Sequence, residues 1–418
     1  MRRRRLELAG VLALGLAWGV YLSPAKGYEW DVNNFKKWSA WLSVNPVSRF
    51  YDSGLWSDYQ PGYLYVLWGV GRAYRCVSGE APRWEDPRFH MAAKLPPLIA
   101  VALMGVLIYR RLEATRDHRI GLLACAAFVL NPAILVNEGV WGDADAVPAL
   151  FVLAGFLALV EGRWVRSAIY IGWACITKPQ TAMTLPALAA VLLGNYPWRV
   201  WLRYGAVGLA VMTAGWLPFT ARYGLEAPLR IFDHYRFLAV EYPFTSVNAF
   251  NLWSIGGLFQ RDDVSVLGAG AFVWGQLFFF ASVLLAIACV FPRRGAAAPS
   301  FISLGFFVTY AAFVFWTRMH ERYVSYALPL GAIAAFESRD RLWKIVYAGI
   351  SILCFGNLIY VLYHTYGGPE VYPLYELVRA AFRNEVIVAG WGGGSLLLLV
   401  CGFLLHARQA AGTPRGTS

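Results

Sequence analysis

Apolar runs of about 20 residues recur along the whole chain, and each is long enough to cross a hydrocarbon core about 30 Å thick as a helix. The 418 residues are 58% hydrophobic and only 15% charged, a balance far from that of soluble domains. The pattern predicts an all-α polytopic membrane protein with about 12 transmembrane segments. The predicted segments are 6–23, 91–109, 120–137, 146–161, 167–177, 181–195, 204–219, 266–291, 300–316, 323–336, 343–362 and 386–406.

The distribution of charge predicts the orientation of these segments. Four arginines, Arg2–Arg5, precede the first run, and every second junction after it again carries arginine. Cytoplasmic loops are rich in Lys and Arg, so we expect a multi-pass protein of the cell membrane with both termini in the cytoplasm. The long segments 24–90, 220–265 and 363–385 then lie outside, and the external segments together hold most of the 25 carboxylates. Chemistry is therefore expected on the extracytoplasmic face.

Residues 1–408 are expected to form one membrane-embedded domain, with 24–90 as its external catalytic loop. Residues 409–418, QAAGTPRGTS, are predicted to form a flexible cytoplasmic tail. The first apolar run resembles a signal peptide without a small-residue cleavage site, which indicates an uncleaved signal anchor. The six cysteines have neither a disulfide framework nor metal-type spacing.

The first external loop places Asp31, Asp52 and Asp58 among aromatic residues. The aromatic spacing in WDVNNFKKWSAWL favours an amphipathic helix along the membrane interface, and 63–74 could form a second one. A carboxylate at this face could act as a general base on a hydroxyl, and Asp31 is the candidate. The structural alternative for Asp31 is an exposed helix cap.

A short acidic stretch, VNEGVWGDAD, contains Glu138, Asp143 and Asp145. Several carboxylate oxygens together can bind a divalent cation or orient sugar hydroxyls. The competing interpretation is that Asp143 and Asp145 cap the helix that begins near Ala146 and interact with the positive end of its dipole.

The two segments 167–177 and 181–195 are both too short to span a membrane comfortably. They are separated by Thr177-Lys178-Pro179-Gln180, where the proline breaks the helix. A broken helical hairpin with a polar turn facing a wet cavity is the simplest arrangement. An ionisable side chain at membrane depth is a functional candidate, so Lys178 is expected to bind an anionic group, and a structural salt bridge is the alternative.

Two further polar clusters follow later in the chain. The first consists of Arg318, His320, Glu321, Arg322 and Tyr323. Its arginine and histidine side chains could bind a phosphate, or the cluster could anchor the protein at the outer membrane interface. In YPFTSVNAFNLW, Asn248 and Asn251 stand among aromatic residues. They could bind a sugar, or they could belong to an interfacial helix with its cap.

The order of these motifs resembles a known family. DxxxFxxW after the first helix, DYQPGYLY, WGDAD, TKPQ, SVNAFNLW and MHERY together resemble polyprenyl-phosphate-sugar-dependent glycosyltransferases of the GT-C superfamily, most of all GPI mannosyltransferase II-like bacterial proteins. The resemblance implies a GT-C-like fold with Asp31 as the base. It also implies that Lys178, His320 and Arg322 face the lipid phosphate, and that Asp58, Asp143 and Asp145 line the sugar or acceptor site. The complete expected substrate-binding set is Asp58, Tyr59, Gln60, Asp143, Asp145, Asn248, Asn251 and Glu321.

The expected activity is transfer of a hexose, mannose by resemblance, from a polyprenyl-phosphate donor to a hydroxyl of a glycan, lipid or protein, by a single inverting displacement. No phosphate-binding loop or dinucleotide motif is present, so neither a nucleotide nor nucleic acid is expected as a partner. The expected reaction requires no cofactor. Binding of a divalent metal is the alternative that stays open, because Asp143 adds a carboxylate to the WGDAD motif. The alternatives are a transporter or flippase of lipid-linked sugars and an enzyme that transfers a lipid headgroup phosphate.

Overall fold

The computed structural model describes residues 2–291, 298–364 and 385–412, together with the single positions 376 and 380. Most of the external segment predicted at 363–385 lies outside these residues, as do positions 413–418 of the predicted tail. The last described helix continues to Gly412, beyond the predicted start of the tail.

Helices make up most of the described chain. The α-helices are α1 (Arg2–Leu22), α2 (Glu29–Val44), α3 (Pro61–Ser78), α4 (Pro87–Thr115), α5 (His118–Val129), α6 (Pro132–Ile134), α7 (Ala146–Val160), α8 (Trp164–Thr177), α9 (Leu185–Asn195), α10 (Trp198–Thr220), α11 (Ala227–Val240), α12 (Ala271–Val290), α13 (Ala298–Phe315), α14 (Leu328–Glu337), α15 (Leu342–His364) and α16 (Glu385–Gly412). The strands are β1 (Ser246–Val247), β2 (Ser265–Val266), β3 (Ala269–Gly270) and β4 (Met319–His320). A π-helix follows α6 at Leu135–Trp141.

The helices confirm the prediction of a multi-pass membrane protein. Within the described residues, 7 helical stretches are long and apolar enough to cross a membrane: Arg2–Leu22, Pro87–Thr115, His118–Trp141, Trp198–Val240, Ala271–Val290, Leu342–His364 and Glu385–Ala411. The other five predicted segments coincide with α7, α8, α9, α13 and α14, which have 10 to 18 residues.

The first external loop contains the predicted amphipathic helix, α2. It begins with Glu29 and Asp31 in its first turn, where negative charge suits the helix dipole, and it ends before Asn45-Pro46. Its aromatic face packs into the protein, because Phe35 and Trp38 are each 1% exposed and their rings contact the ring of Tyr59. This packing on protein replaces the expected contact with lipid headgroups and fixes the start of α2 beside the cavity described below.

The predicted broken hairpin is confirmed. α8 ends at Thr177, Lys178 has an extended backbone, and a 3₁₀ turn over Pro179–Thr184 leads into α9. The proline supplies no N–H for a continued helix, so the chain opens at this point. The break brings the ammonium of Lys178 into the interior of the protein.

Two short strands join the two later polar clusters. β1 pairs in parallel with β4, and the isolated bridge between Asn248 and His320 extends this pairing. Asn248 has a positive φ of 62°, so the chain turns here rather than forming the helix considered from the sequence. The pairing sets His320 and its neighbours at the edge of the same cavity as α2.

We predict that Gly62→Ala destabilises the protein, because Gly62 allows α3 to pack against the end of α8. An added Cβ would lie 2.7 Å from both the Ile176 carbonyl oxygen and the Thr177 Cα, which are backbone atoms. Such overpacking costs roughly 1–3 kcal/mol. The melting temperature of the purified protein in detergent should fall.

Gly69→Ala in the same helix is the matched control, since nothing lies within 4 Å of its added Cβ. Its melting temperature should stay the same or rise slightly, because alanine favours helix. Equal melting temperatures for the two variants would contradict the tight contact between α3 and α8.

Candidate active site

A cavity of about 630 Å³ opens where α2, the 178–180 turn, the 238–248 stretch and the 316–323 stretch meet. Eight of the residues expected at the site line it: Asp31, Asp58, Tyr59, Lys178, Asn248, His320, Glu321 and Arg322. These residues come from five separate stretches of the sequence. The fold therefore brings together candidates that are as far apart in the chain as Asp31 and Arg322.

Asp31 lies at the wall of the cavity, in the first turn of α2. Tyr28 occupies the N-cap position of α2, so the alternative interpretation of Asp31 as a helix cap is wrong. The indole N–H of Trp141 donates a hydrogen bond to Asp31 Oδ2 at 3.2 Å, and Arg322 Nη2 lies 3.6 Å from the same oxygen. One hydrogen bond and one ion pair thus orient one oxygen of this carboxylate.

Arg322 is the central cation of the site. Its guanidinium lies 3.4 Å from an oxygen of Asp143 and 3.8 Å from one of Asp145, and it donates to Glu321 Oε1 at 2.9 Å. The side chain is only 10% exposed. A buried guanidinium among carboxylates is held in one orientation, because its planar donors match several oxygens at once.

Lys178 is the second buried cation, with 5% of its side chain exposed. Its ammonium donates to Asp145 Oδ1 and lies 3.8 Å from Asp143 Oδ1. The hydroxyl of Tyr326 donates to the same Asp145 oxygen at 2.9 Å. Lys178 therefore forms the structural salt bridge that was the alternative to binding an anionic ligand. Its side chain still lines the cavity.

Asp143 and Asp145 lie behind the cavity wall and not in it. Both are fully buried, and they face Lys178 and Arg322. This corrects their expected place on the substrate surface. The capping interpretation holds for the position of Asp145, which is the N-cap of α7, but its side chain makes no cap hydrogen bond. These carboxylates fix the two cations.

Two other expected substrate contacts are corrected by the structure. Gln60 is fully buried at the N-cap of α3, and its side chain does not reach the cavity. Asn251 is also fully buried, and its amide donates to the carbonyls of Phe313 and Trp316 while its oxygen accepts from the Trp253 N–H. Asn251 is a cap that ties the short 3₁₀ helix at Leu252–Gly256 to α13.

Burial and neighbouring charges change the protonation of the groups at the cavity. Burial raises the pKa of Asp31 above its ordinary value, although the charge of Arg322 opposes this. Burial and the charge of Asp31 raise the pKa of Asp58 to about 6, and burial raises that of Glu321 to about 7. His320 has a pKa well below the usual range because of burial and the charge of Arg322. A neutral His320 can hydrogen-bond to a phosphate but adds no charge.

The carboxylates of the site do not fit a divalent cation in this arrangement. Lys178 and Arg322 already occupy the space among Asp31, Asp143 and Asp145. In the part of the chain that the structure describes, no group of three or more His, Cys, Asp and Glu side chains is arranged to hold a metal.

Lys94 of α4 supports the site and is not among the residues expected from the sequence, although it is an ionisable side chain within the predicted segment 91–109. Lys94 is fully buried, and its ammonium donates to the carbonyl oxygens of Ala25 at 2.7 Å, Val140 at 2.8 Å and Gly139 at 3.4 Å. Gly139 and Val140 belong to the π-helix that ends at Trp141, the partner of Asp31. Lys94 therefore ties the first loop and the acidic stretch together from behind.

The fold is similar to that of solved membrane proteins. The chain resembles ArnT from Cupriavidus metallidurans, solved bound to undecaprenyl phosphate, with a TM-score of 0.50 and 14% identity over 97% of this chain and 77% of that chain. It is also similar to the oligosaccharyltransferase of Archaeoglobus fulgidus in the apo form, with a TM-score of 0.44 and 14% identity over 98% of this chain and 57% of that chain. No protein-family model and no curated protein sequence matches. The all-α, GT-C-like membrane fold predicted from the sequence is confirmed.

We predict that Lys94→Met lowers the stability of the protein. Methionine keeps the length of the side chain but leaves the buried carbonyl of Gly139 and the part-buried carbonyls of Ala25 and Val140 without this donor. An unsatisfied buried acceptor costs about 1–3 kcal/mol, so the melting temperature should fall by several degrees. Lys37→Met is the control, because Lys37 is partly exposed and contacts the ring of Trp84. Equal melting temperatures for the two variants would contradict the supporting role of Lys94.

Proposed function

We propose that the protein is an integral membrane glycosyltransferase that moves a hexose from a polyprenyl-phosphate donor to an acceptor hydroxyl at the extracytoplasmic face. One observation carries the proposal: a carboxylate, Asp31, and two buried cations, Lys178 and Arg322, border the same cavity. Transfer from a lipid phosphate needs both a base for the hydroxyl and positive charge for the departing phosphate. The motif order favours mannose as the hexose.

The reaction is a single displacement at the anomeric carbon. Asp31 accepts the proton of the acceptor hydroxyl as its oxygen forms a bond to this carbon. The bond between the anomeric carbon and the phosphate oxygen breaks, and its electron pair stays with the lipid phosphate. Attack opposite the leaving group inverts the configuration. The acceptor and the phosphate therefore have to lie on opposite sides of the sugar ring.

The two cations are suited to the departing phosphate because they are fixed before the reaction starts. Lys178 and Arg322 are held by Asp143 and Asp145, which lie on the far side of the cations from the cavity. Preorganised charge in a buried site stabilises a developing anion without the cost of reorientation. The neutral ring of His320 can add a hydrogen bond to the phosphate.

The dimensions of the cavity agree with a small polar ligand on an apolar carrier. Its volume of about 630 Å³ lies within the roughly 300–1,000 Å³ typical of ligand pockets. Aromatic side chains, including Trp30, Trp56 and Tyr242, line it and offer flat apolar faces beside the charged groups. The likeness in fold to a protein solved with undecaprenyl phosphate supports a lipid phosphate as the donor's carrier.

We predict that Asp31→Asn abolishes most sugar transfer, because the amide cannot accept the hydroxyl proton. General base catalysis contributes roughly 10²–10⁴-fold, so the rate should fall by about this factor. The measurement is formation of a new glycoside from a purified polyprenyl-phosphate sugar by the protein in detergent. Asp52→Asn is the matched control, since Asp52 is an aspartate of the same loop that pairs with Arg222 and Tyr223 outside the cavity.

The same assay separates the enzyme from its alternatives. Full transfer by Asp31→Asn would contradict the assignment of Asp31 as the base, but it would still support a glycosyltransferase. Movement of lipid-linked sugar across a vesicle membrane without any glycoside, in wild type as well, would instead support a transporter or flippase. Release of a phosphorylated glycan would identify transfer of the headgroup phosphate.

The pH dependence of transfer offers a second prediction. Protonated Asp31 cannot act as a base, so the rate should rise with pH through its pKa, which lies above the ordinary range for aspartate. Trp141→Phe removes the hydrogen bond that favours the charged carboxylate, and the acid limb of the kcat/KM profile should move to higher pH. Trp68→Phe, at a partly exposed position of α3, should leave the profile unchanged. An acid limb that does not move in Trp141→Phe would contradict the assignment.

A further inference from the structure

A second cavity, of about 390 Å³, lies between the end of α4 and the turn from α7 to α8. It is at the opposite end of these helices from the active site, since α7 begins beside Asp145 and α8 ends beside Lys178. With a helical rise of 1.5 Å per residue, Arg166 and Lys178 are about 18 Å apart along α8. This cavity is therefore separate from the active site.

The second cavity has an apolar floor and a basic rim. Leu107, Leu157 and Ala158 belong to the floor, where the small alanine leaves space between α4 and α7. Four arginines belong to the rim: Arg110, Arg111, Arg163 and Arg166. A cavity with an apolar floor and a basic rim suits a ligand that has an anionic head and an apolar body.

Two of the four arginines are already neutralised. Arg111 pairs with Glu337 at 2.7 Å, and Arg163 pairs with Glu161. Among the residues that the structure describes, neither Arg110 nor Arg166 pairs with a carboxylate, and both are exposed. Two positive charges at the rim therefore stay available for a ligand.

The surface beside the cavity is apolar and exposed. Leu103, one helical turn before Leu107 on α4, is 48% exposed, and Ile169, next to Arg166 on α8, is 43% exposed. In a membrane protein such side chains face the acyl chains of the bilayer. An anionic ligand at the rim would be continuous with this lipid-facing surface, which favours a lipid over a small soluble anion.

We infer that the second cavity binds the phosphate headgroup of an anionic phospholipid. Arg110 and Arg166 donate to the phosphate oxygens, and one acyl chain follows the apolar floor towards Leu103. Arginine matches phosphate with paired donors, and basic pockets between membrane helices are suited to anionic headgroups. The inference is independent of the proposed glycosyltransferase activity, because it rests on a different cavity and is tested by binding.

The test measures retained phosphatidylglycerol by native mass spectrometry of the full-length protein, reconstituted in phosphatidylcholine nanodiscs that contain a minor fraction of phosphatidylglycerol. Arg110→Gln/Arg166→Gln should retain at least fivefold less phosphatidylglycerol than wild type. Arg199→Gln/Arg203→Gln is the matched control, with two arginines near the start of α10, outside the residues that line the cavity. This control should retain as much lipid as wild type.

A second variant acts on the rim without removing an arginine. Ala114 lines the cavity and is exposed, so Ala114→Glu should fold normally and repel the phosphate. It should also retain less phosphatidylglycerol. Equal loss in the cavity variants and in the Arg199/Arg203 control would overturn the inference in favour of general surface charge. Displacement of the lipid by millimolar inorganic phosphate would overturn it in favour of a free anion site.

Discussion

Two cations shared among carboxylates hold the candidate active site together. Arg322 contacts Asp31, Asp143 and Asp145, and Lys178 contacts Asp143 and Asp145; all of these five residues except Asp31 are buried away from bulk water. Removing charges from water is costly, and the cost is offset only when each charge keeps its partners; loss of one partner of a buried pair destabilises by about 3–5 kcal/mol. The helices that carry these residues are therefore fixed relative to one another by the same contacts that prepare the site.

The sequence predicted the parts of this arrangement that depend on local chemistry. Apolar length located the membrane helices, and Pro179 beside a lysine identified the break in the hairpin. The site residues were harder to place, because their roles depend on contacts between distant segments. Asp143 and Asp145 have the residue type expected for a sugar site, yet they face inward to the cations. The position of Lys94 inside a predicted membrane segment is a signal, but its partners are backbone carbonyls, which no sequence motif identifies.

The residues of the candidate site form two groups, those that position other side chains and those that line the cavity. Asp143, Asp145, Lys94 and Asn251 are fully buried and position other groups, whereas Asp31, Lys178 and Arg322 border the cavity. The short pairing of β1 with β4 belongs to the support, because it brings the residues before Arg322 into contact with the 246–248 stretch. Such layers of support limit the motion of the groups that face a substrate, and this precision is what transition-state stabilisation needs.

The long sequence separation between Lys178 and Arg322 has a consequence for biosynthesis. Because domains form from the N-terminus during translation, α7 and α8 leave the ribosome well before the segment with Arg322. At that stage the two carboxylates Asp143 and Asp145 have the ammonium of Lys178 as a partner but not yet the guanidinium of Arg322. The late part of the chain therefore completes the set of paired charges that holds the early helices at the candidate site.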